Sequence, residues 1–269
     1  MSRPARVAAA LIAILAGLPL AAAMPPDAIS GADDGPMIAV IIDDLGDQLA
    51  PGERAIALPG VSTYAILPLT PHAGQLADEV HAAGKEVFLH QPLEATEPGP
   101  LGPGAITLDT DHAELARTLD ENLASVRYAV GVNNHMGSML TMHPGHMDWL
   151  MQALSERHLL FVDSRTTTRT VAMRFAAEHH VPALERDVFI DPTAAEAVIR
   201  EQLARLRQVA REQGYAVAIA HPYPVTLDIL EQALPELMAE GFRLVSASQL
   251  IRIRSGELEN ITWPVSSSR

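Results

Sequence analysis

The sequence of 269 residues has no cysteine, few aromatic residues and fewer basic than acidic residues. The absence of cysteine means that no disulfide stabilises the fold. Because aromatic residues make up only 4% of the chain, the core must be built from Ala, Val, Leu, Ile and Met. The 33 acidic and 19 basic residues give a formal net charge of −14. This charge argues against nucleic acid as a partner, because binding to phosphates needs a basic surface.

Long hydrophobic runs are also absent, except at the N terminus. Arg3 and Arg6 precede an apolar run over residues 7–20, and three alanines at 21–23 offer a small-residue cleavage site. This order is typical of a secretory signal peptide, so we predict a signal peptide at residues 1–23 and a periplasmic or cell-envelope location. The alternative is an uncleaved anchor that would contact the membrane, but about 17 apolar residues are at the short limit for spanning.

The rest of the chain predicts one α/β domain at residues 37–252, between a Pro-, Gly- and Asp-rich linker at 24–36 and a C-terminal tail at 253–269. Predicted helices separate most of the predicted strands. These strands cover residues 37–43, 61–67, 86–90, 129–133, 159–162, 188–190, 216–220 and 243–245. Strand alternating with helix implies a parallel sheet, open or closed. Seven or eight such units match the size of an irregular (β/α) barrel.

Local signals mark two helix starts and one long loop. Asp111 with Glu114, and Thr193 with Glu196, have the spacing of capping boxes. The loop at residues 91–110 contains four prolines and three glycines. Loops of this length are often functional, and disorder is the alternative interpretation.

Polar residues concentrate at the predicted carboxyl ends of the strands, where parallel α/β folds form their sites. They are Asp43, Asp44, His90, Glu94, Asn133, Asn134, His135, Ser138, Asp163, Arg165, Asp191 and His221, and Arg186 and Asp187 lie near the predicted strand at 188–190. Because the carboxyl ends of parallel strands open on one rim, we expect these side chains to surround one cavity. The pattern therefore predicts a polar site there.

Two imidazoles and a carboxylate suit zinc and leave a position open for water. Such a water becomes a nucleophile near neutral pH, a second carboxylate can take its proton, and a further histidine can protonate the leaving group. Asp43 and Asp44 can both reach one cavity because the chain turns at the strand end. The alternative is that Asp44 caps the following helix while Asp43 lies in a buried hydrogen-bond network.

Six motifs carry a resemblance to a known family. They are VIIDDLG at residues 40–46, FLHQPLE at 88–94, VNNHMGS at 132–138, FVDSRTT at 161–167, RDVFID at 186–191 and IAHP at 219–222. The sequence resembles the divergent polysaccharide deacetylase family, relatives of the NodB-type carbohydrate esterases, over roughly residues 37–251. The resemblance implies a NodB-like irregular (β/α) barrel and a metal-dependent amide or ester hydrolase ancestry.

The resemblance also implies roles for individual residues. Asp43 matches the base and Asp44 the metal-binding aspartate of the first motif. His90 matches the first of two metal-binding histidines four residues apart, but Glu94 stands where the second would be. His221 matches the catalytic acid.

The resemblance leaves the third metal ligand open. His135 is the candidate because it ends the neighbouring strand, whereas Glu94 is the rival as a direct ligand or as a group that orients His90. Further residues are predicted to orient these groups or contact the substrate: Asn134, Ser138, Asp163, Arg165, Arg186 and Asp187.

Two functions follow from this site. The first is a hydrolase that removes acetyl groups from an envelope glycan with a divalent metal, for which zinc is the favoured ion. Iron, nickel and cobalt accept similar ligands. The second is a non-catalytic envelope protein that binds a glycan or a protein in the same pocket, because members with altered motifs can bind without cleaving. A hydrolase of a different bond is a further alternative.

Overall fold

A computed structural model describes residues 35–255. The predicted signal peptide and most of the predicted linker and tail lie outside the described residues. Within them no helix is long and apolar enough to cross a membrane. In chain order the elements are β1 (Met37–Leu45), α1 (Leu49–Ile56), β2 (Thr63–Ile66), α2 (Ala73–Ala82), β3 (Glu86–Leu93), α3 (His112–Ser125), β4 (Ala129–Met136), α4 (Pro144–Glu156), β5 (Leu160–Asp163), α5 (Ala172–Glu178), β6 (Ala183–Glu185), β7 (Val188–Phe189), α6 (Glu196–Gln213), β8 (Tyr215–Ala220), α7 (Pro224–Ala239), β9 (Arg243–Val245) and α8 (Ala247–Ser255).

The strands form one parallel sheet in the order β6-β5-β4-β3-β2-β1-β8-β7, with β9 paired to the first residues of β1. The sheet curls into a half-barrel that stays open between β6 and β7, which confirms the predicted α/β irregular barrel. All eight predicted strands form. The sequence analysis missed β6, whose three residues Ala-Leu-Glu contain no β-branched or aromatic side chain.

Both faces of the sheet are buried, which explains the uninterrupted apolar run in β1. Ile38, Val40 and Ile42 pack against the helices outside the half-barrel. Ala39 and Ile41 point to the other face and join the apolar cluster inside it. The polar residues at the carboxyl end of β1 therefore follow a rigid, fully buried segment.

Helix α8 fills the end of the half-barrel opposite the polar rim. Leu250 and Ile251 join the inner apolar cluster. Ser246 and Ser248, at the start of α8, both donate hydrogen bonds to the carboxylate of Glu86, the first residue of β3. The amino end is therefore closed by packing, and the carboxyl end is left for a site.

The two predicted capping boxes have different outcomes. The Asp111 side chain accepts a hydrogen bond from the Glu114 amide at 2.8 Å, as predicted. The prediction at Thr193 was wrong, because its carbonyl accepts from the Ala195 amide in a short turn and α6 begins at Glu196.

We expect Gly131→Ala to destabilise the protein. A Cβ at this position in β4 would lie 2.5 Å from the ring of Phe88 and 3.0 Å from Cβ of Leu160. Because Phe88 is fully buried inside the half-barrel, we expect a loss of ~1–3 kcal/mol in the free energy of unfolding, measured in urea. Gly74→Ala is the control, since a methyl group at that position would have no atom within 4 Å. Equal effects of the two substitutions would contradict this account.

Candidate metal centre

A bulge at the end of β1 brings the carboxylates of two consecutive aspartates to the same side, where both approach Nε2 of His90. The register between β1 and β2 shifts between Ile42 and Leu45, and Asp44 has a left-handed backbone with φ of 59°. Side chains normally alternate along a strand, and the extra residue of a bulge removes this alternation. The interpretation of Asp44 as a helix cap is wrong, because the N-cap of α1 is Gln48.

Three potential metal ligands converge at the rim. Oδ1 of Asp44 lies 3.1 Å from Nε2 of His90 and 2.9 Å from Nδ1 of His135. The two ring nitrogens are 3.2 Å apart. Oδ1 of Asp44 is buried, and neither ring N–H is aligned to donate to it, so it has no hydrogen-bond partner within residues 35–255. A buried carboxylate oxygen without a donor needs another positive partner.

The donor set fits a divalent cation. Zinc bonds to nitrogen and carboxylate oxygen are about 2.0–2.2 Å long, so its ligand atoms lie about 3–3.5 Å apart. The three separations of 2.9–3.2 Å are close to this range. Two imidazoles and one carboxylate also leave coordination positions open. Asp44, His90 and His135 therefore form a group that can hold a metal ion.

Glu94, the rival third ligand, lies outside this group. Its Oε2 accepts the backbone N–H of Leu108 at 2.7 Å, and its side chain lines a separate surface cavity. Glu94 is thus used to hold the loop after β3. Between the two candidates for the third ligand, the tertiary structure brings His135 to Asp44 and His90.

Asn133 connects a candidate ligand to the candidate base. Its amide oxygen accepts from Nδ1 of His90 at 2.9 Å, and its amide nitrogen donates to Oδ1 of Asp43 at 2.8 Å. Because an amide oxygen can only accept, Nδ1 of His90 carries a proton and Nε2 can present a lone pair to a metal. Sequence analysis did not give Asn133 a role. No local pattern indicated one, because the pairing of His90 with Asn133 depends on the register between β3 and β4.

Burial and charge shift the pKa values of these groups. Burial raises the pKa of Asp43. Burial alone would also raise the pKa of Asp44, but the ring nitrogens of His135 and His90 outweigh it and hold the pKa well below its usual range. Burial disfavours the charged form of His90, but the carboxylates of Asp43 and Asp44 raise its pKa to about 9. The site therefore attracts positive charge strongly.

His221 faces the same cavity from the end of β8 and is held by Asp191. Its Nδ1 is 2.9 Å from Oδ1 of Asp191, and Oδ2 of Asp191 accepts from the His221 amide at 2.8 Å and the Thr226 hydroxyl at 2.9 Å. Nε2 of His221 lies 3.7 Å from Oδ2 of Asp44. Burial disfavours the protonated ring, but Asp191 and Asp44 outweigh it and raise the pKa of His221.

Asp191 is a functional candidate to which sequence analysis gave no role. It follows β7, and the amide of Ile190 donates to the carbonyl of Ile219 on neighbouring β8. This pairing places Asp191 beside His221. The signal in the sequence was a carboxylate at a strand end, which also described Asp187.

The remaining predicted residues divide into two groups. Asn134, Arg165 and Arg186 line a cavity of about 330 Å³ together with Asp43, His90, His135 and His221. The structure places the others elsewhere. The hydroxyl of Ser138 accepts a hydrogen bond from the amide of Thr96. Asp163 is buried and accepts from the amide of Arg165 and the hydroxyl of Thr170. Asp187 lines a cavity in the open seam of the half-barrel.

Known proteins share both the sequence pattern and the fold. The profile of the divergent polysaccharide deacetylase family matches residues 40–251. The protein YibQ of Escherichia coli K12 is 37% identical over 214 residues, which are 80% of this chain and 67% of that protein. Two solved structures also have this fold. Protein ATU2773 of Agrobacterium tumefaciens C58 has a TM-score of 0.76 at 22% identity, covering 82% of this chain and 91% of that chain. A variant of peptidoglycan deacetylase PdaC of Bacillus subtilis has a TM-score of 0.52 at 11% identity, covering 84% and 94%.

Proposed function

The chain belongs to the divergent polysaccharide deacetylase family, and from this premise we propose that it is an exported, zinc-dependent hydrolase that removes acetyl groups from an envelope glycan. One observation carries the proposal. Asp44, His90 and His135 converge as potential metal ligands, and the cavity that the two histidines line also holds a carboxylate, Asp43, and a further histidine, His221, outside this group. A site built only for structure would not need these two additional groups.

Asp43 is suited to act as the base. It lies 3.7 Å from Nε2 of His90, so it borders the candidate metal position. Asn133 fixes its orientation. A bound divalent ion would acidify a water and polarise the acyl carbonyl. Asp43 would be the group that accepts a proton from an attacking water, and the raised pKa that burial gives Asp43 makes it a better proton acceptor.

His221 is suited to act as the acid. Its Nδ1 proton is directed to Asp191. The proton that the ring gains when it becomes charged is therefore on Nε2, which faces the cavity. Because Asp191 and Asp44 raise the pKa of the ring, His221 is protonated at higher pH than an ordinary histidine. It can therefore donate from Nε2 to the leaving nitrogen or oxygen of the substrate.

Export and an envelope substrate rest on separate support. The first 23 residues have the order of a signal peptide. PdaC, which shares the fold, is named a peptidoglycan deacetylase. A signal peptide and a fold shared with a peptidoglycan deacetylase are both expected of a protein that acts on a glycan outside the cytoplasm.

Acetate release tests the proposed function. We expect the zinc-loaded mature protein to release acetate from acetylated amino-sugar oligomers, and we expect chelation to stop the reaction until zinc is added back. Elemental analysis of the same preparation gives the stoichiometry of the metal. No acetate from a panel of envelope glycans, with metal bound, would favour the non-catalytic binding protein, which the replacement of the family's second histidine by Glu94 suggests.

We expect Asp191→Asn to move the alkaline limb of the pH profile of kcat/KM to lower pH. His221 donates a proton only below its pKa, and loss of the Asp191 charge lowers that pKa. Activity should therefore fall more at pH 8 than at pH 6. Asp187→Asn is the matched control, because Asp187 accepts the amide of Val217 at 2.8 Å as Asp191 accepts that of His221. A parallel loss at both pH values would point to a structural role only.

A further inference from the structure

Arg186 lines the cavity of the candidate metal centre, where the carboxylates of Asp43 and Asp163 act on its charge only from beyond ion-pair distance. Its Nε donates to the carbonyl of Ser164 at 2.6 Å and its Nη2 to the carbonyl of Arg165 at 2.9 Å. The guanidinium carbon is 5.0 Å from the ring centre of Phe189. Within residues 35–255 no carboxylate lies within 4.0 Å of its nitrogens. Burial lowers the pKa of Arg186, so its charged form is held in an unfavourable environment.

Two carbonyl oxygens fix the orientation of the Arg186 guanidinium, and they use only some of its N–H donors. A guanidinium has five N–H donors, and two of them bond to the carbonyls of Ser164 and Arg165. Three donors are thus left without a partner in the described part of the chain. A fixed planar fork of this kind suits bidentate binding of a carboxylate. Bracing a loop requires only hydrogen-bond donors, whereas the half-buried charge of Arg186 also attracts an anion that reaches the cavity.

Arg165 shows the contrast within the same cavity. Its Nη1 lies 2.9 Å from Oε1 of Glu185, so the protein itself compensates that charge. Arg186 has no such partner, although Asp43 lines the same cavity. Asp43 accepts from Asn133 instead, so the guanidinium donors of Arg186 are left to a ligand.

The size of the cavity indicates that more than an acyl group enters it. Its volume of about 330 Å³ is within the range of small-molecule sites. An acetyl group would occupy only a small part of it, so some of the sugar must enter as well. Phe189 and Ile219 provide apolar wall beside Arg186.

We infer that Arg186 binds a carboxylate on the substrate, and that this protein therefore acts on acidic sugars in preference to neutral ones. The inference deepens the proposed function and rests on the same site. The carboxylate has two chemical sources, an ether-linked acid on an amino sugar or a uronic acid. Arg186 is thus assigned as a specificity-determining residue and not as a proton donor or acceptor.

Equilibrium binding tests the inference without requiring turnover. In the first arm, binding of N-acetylmuramic acid to the zinc-loaded protein is compared with binding of N-acetylglucosamine, which lacks the carboxylate. In the second arm, glucuronic acid is compared with glucose. We expect the wild type to prefer the acidic sugar by about 10–100-fold in at least one arm, since hydrogen bonds to charged groups are the stronger kind. Arg186→Gln should bring the ratio of the two affinities close to one, because the loss falls mainly on the acidic sugar.

Arg174→Gln is the control variant, because Arg174 also lies over a phenylalanine ring, at 4.4 Å, but its side chain is 57% exposed on α5. It should keep the full preference. Equal binding of acidic and neutral sugars by the wild type would overturn the inference. A preference that survives in Arg186→Gln would also overturn it, because the carboxylate would then be bound by the metal.

Metal content and thermal unfolding of each variant show whether the site is intact. If Arg186→Gln does not fold, Arg186→Lys decides, because lysine keeps the charge but lacks the planar fork. We expect the preference of Arg186→Lys to fall several-fold, and an unchanged preference would contradict the inference. The two proposals can fail separately. If the wild type releases no acetate but prefers acidic sugars, and Arg186→Gln loses this preference, the hydrolase is rejected and the assignment of Arg186 is kept.

Discussion

Replacement of Asp43 by asparagine is expected to lower kcat by about 10²–10⁴-fold, the usual contribution of a positioned general base. Asparagine has nearly the same shape, and its amide oxygen can still accept the hydrogen bond from Asn133. What it lacks is the ability to take a proton. The measurement is acetate release at saturating substrate, with metal content determined on the same sample.

The metal should stay bound in Asp43→Asn, because Asp43 is not among the three converging ligands. Asp163→Asn is the matched control, since Asp163 is equally buried but bonds to the Arg165 amide and the Thr170 hydroxyl away from the ligands. We expect it to affect stability more than turnover. Loss of metal from Asp43→Asn would instead identify Asp43 as a ligand, and turnover within tenfold of wild type would remove it as the base.

Replacement of His135 by alanine is expected to weaken zinc binding by more than the 10–100-fold that is usual for residues that only orient a ligand. The reason is that Nδ1 of His135 is one of three converging donor atoms, 2.9 Å from Oδ1 of Asp44. Two remaining ligands hold zinc poorly. Competition with a chromogenic chelator gives the affinity, and elemental analysis after gel filtration gives the retained metal.

Glu94→Gln is the control that decides between the two candidates for the third ligand. Glutamine can still accept the Leu108 amide, so the loop after β3 should persist. We expect this variant to bind zinc as the wild type does. If Glu94→Gln loses zinc and His135→Ala keeps it, the ligand set that the structure indicates is wrong.

Much of the fold could be predicted because its signals are local. The strands are apolar runs, and their alternation with helices requires a parallel sheet whose carboxyl ends share one rim. That rule alone was sufficient to expect Asp43, His90 and His221 around one cavity. A local signal failed at Thr193, where the chain forms a short turn and α6 starts at Glu196.

The sequence by itself determined the α/β class, the identity of eight of the nine strands and the set of polar residues at their ends. The tertiary structure decided which of those residues meet. The bulge at Asp44, the register that pairs His90 with Asn133, and the position of Asp191 beside His221 depend on residues 21 to 43 positions apart. Such contacts follow from strand order and register, and a local pattern of residue types does not encode them.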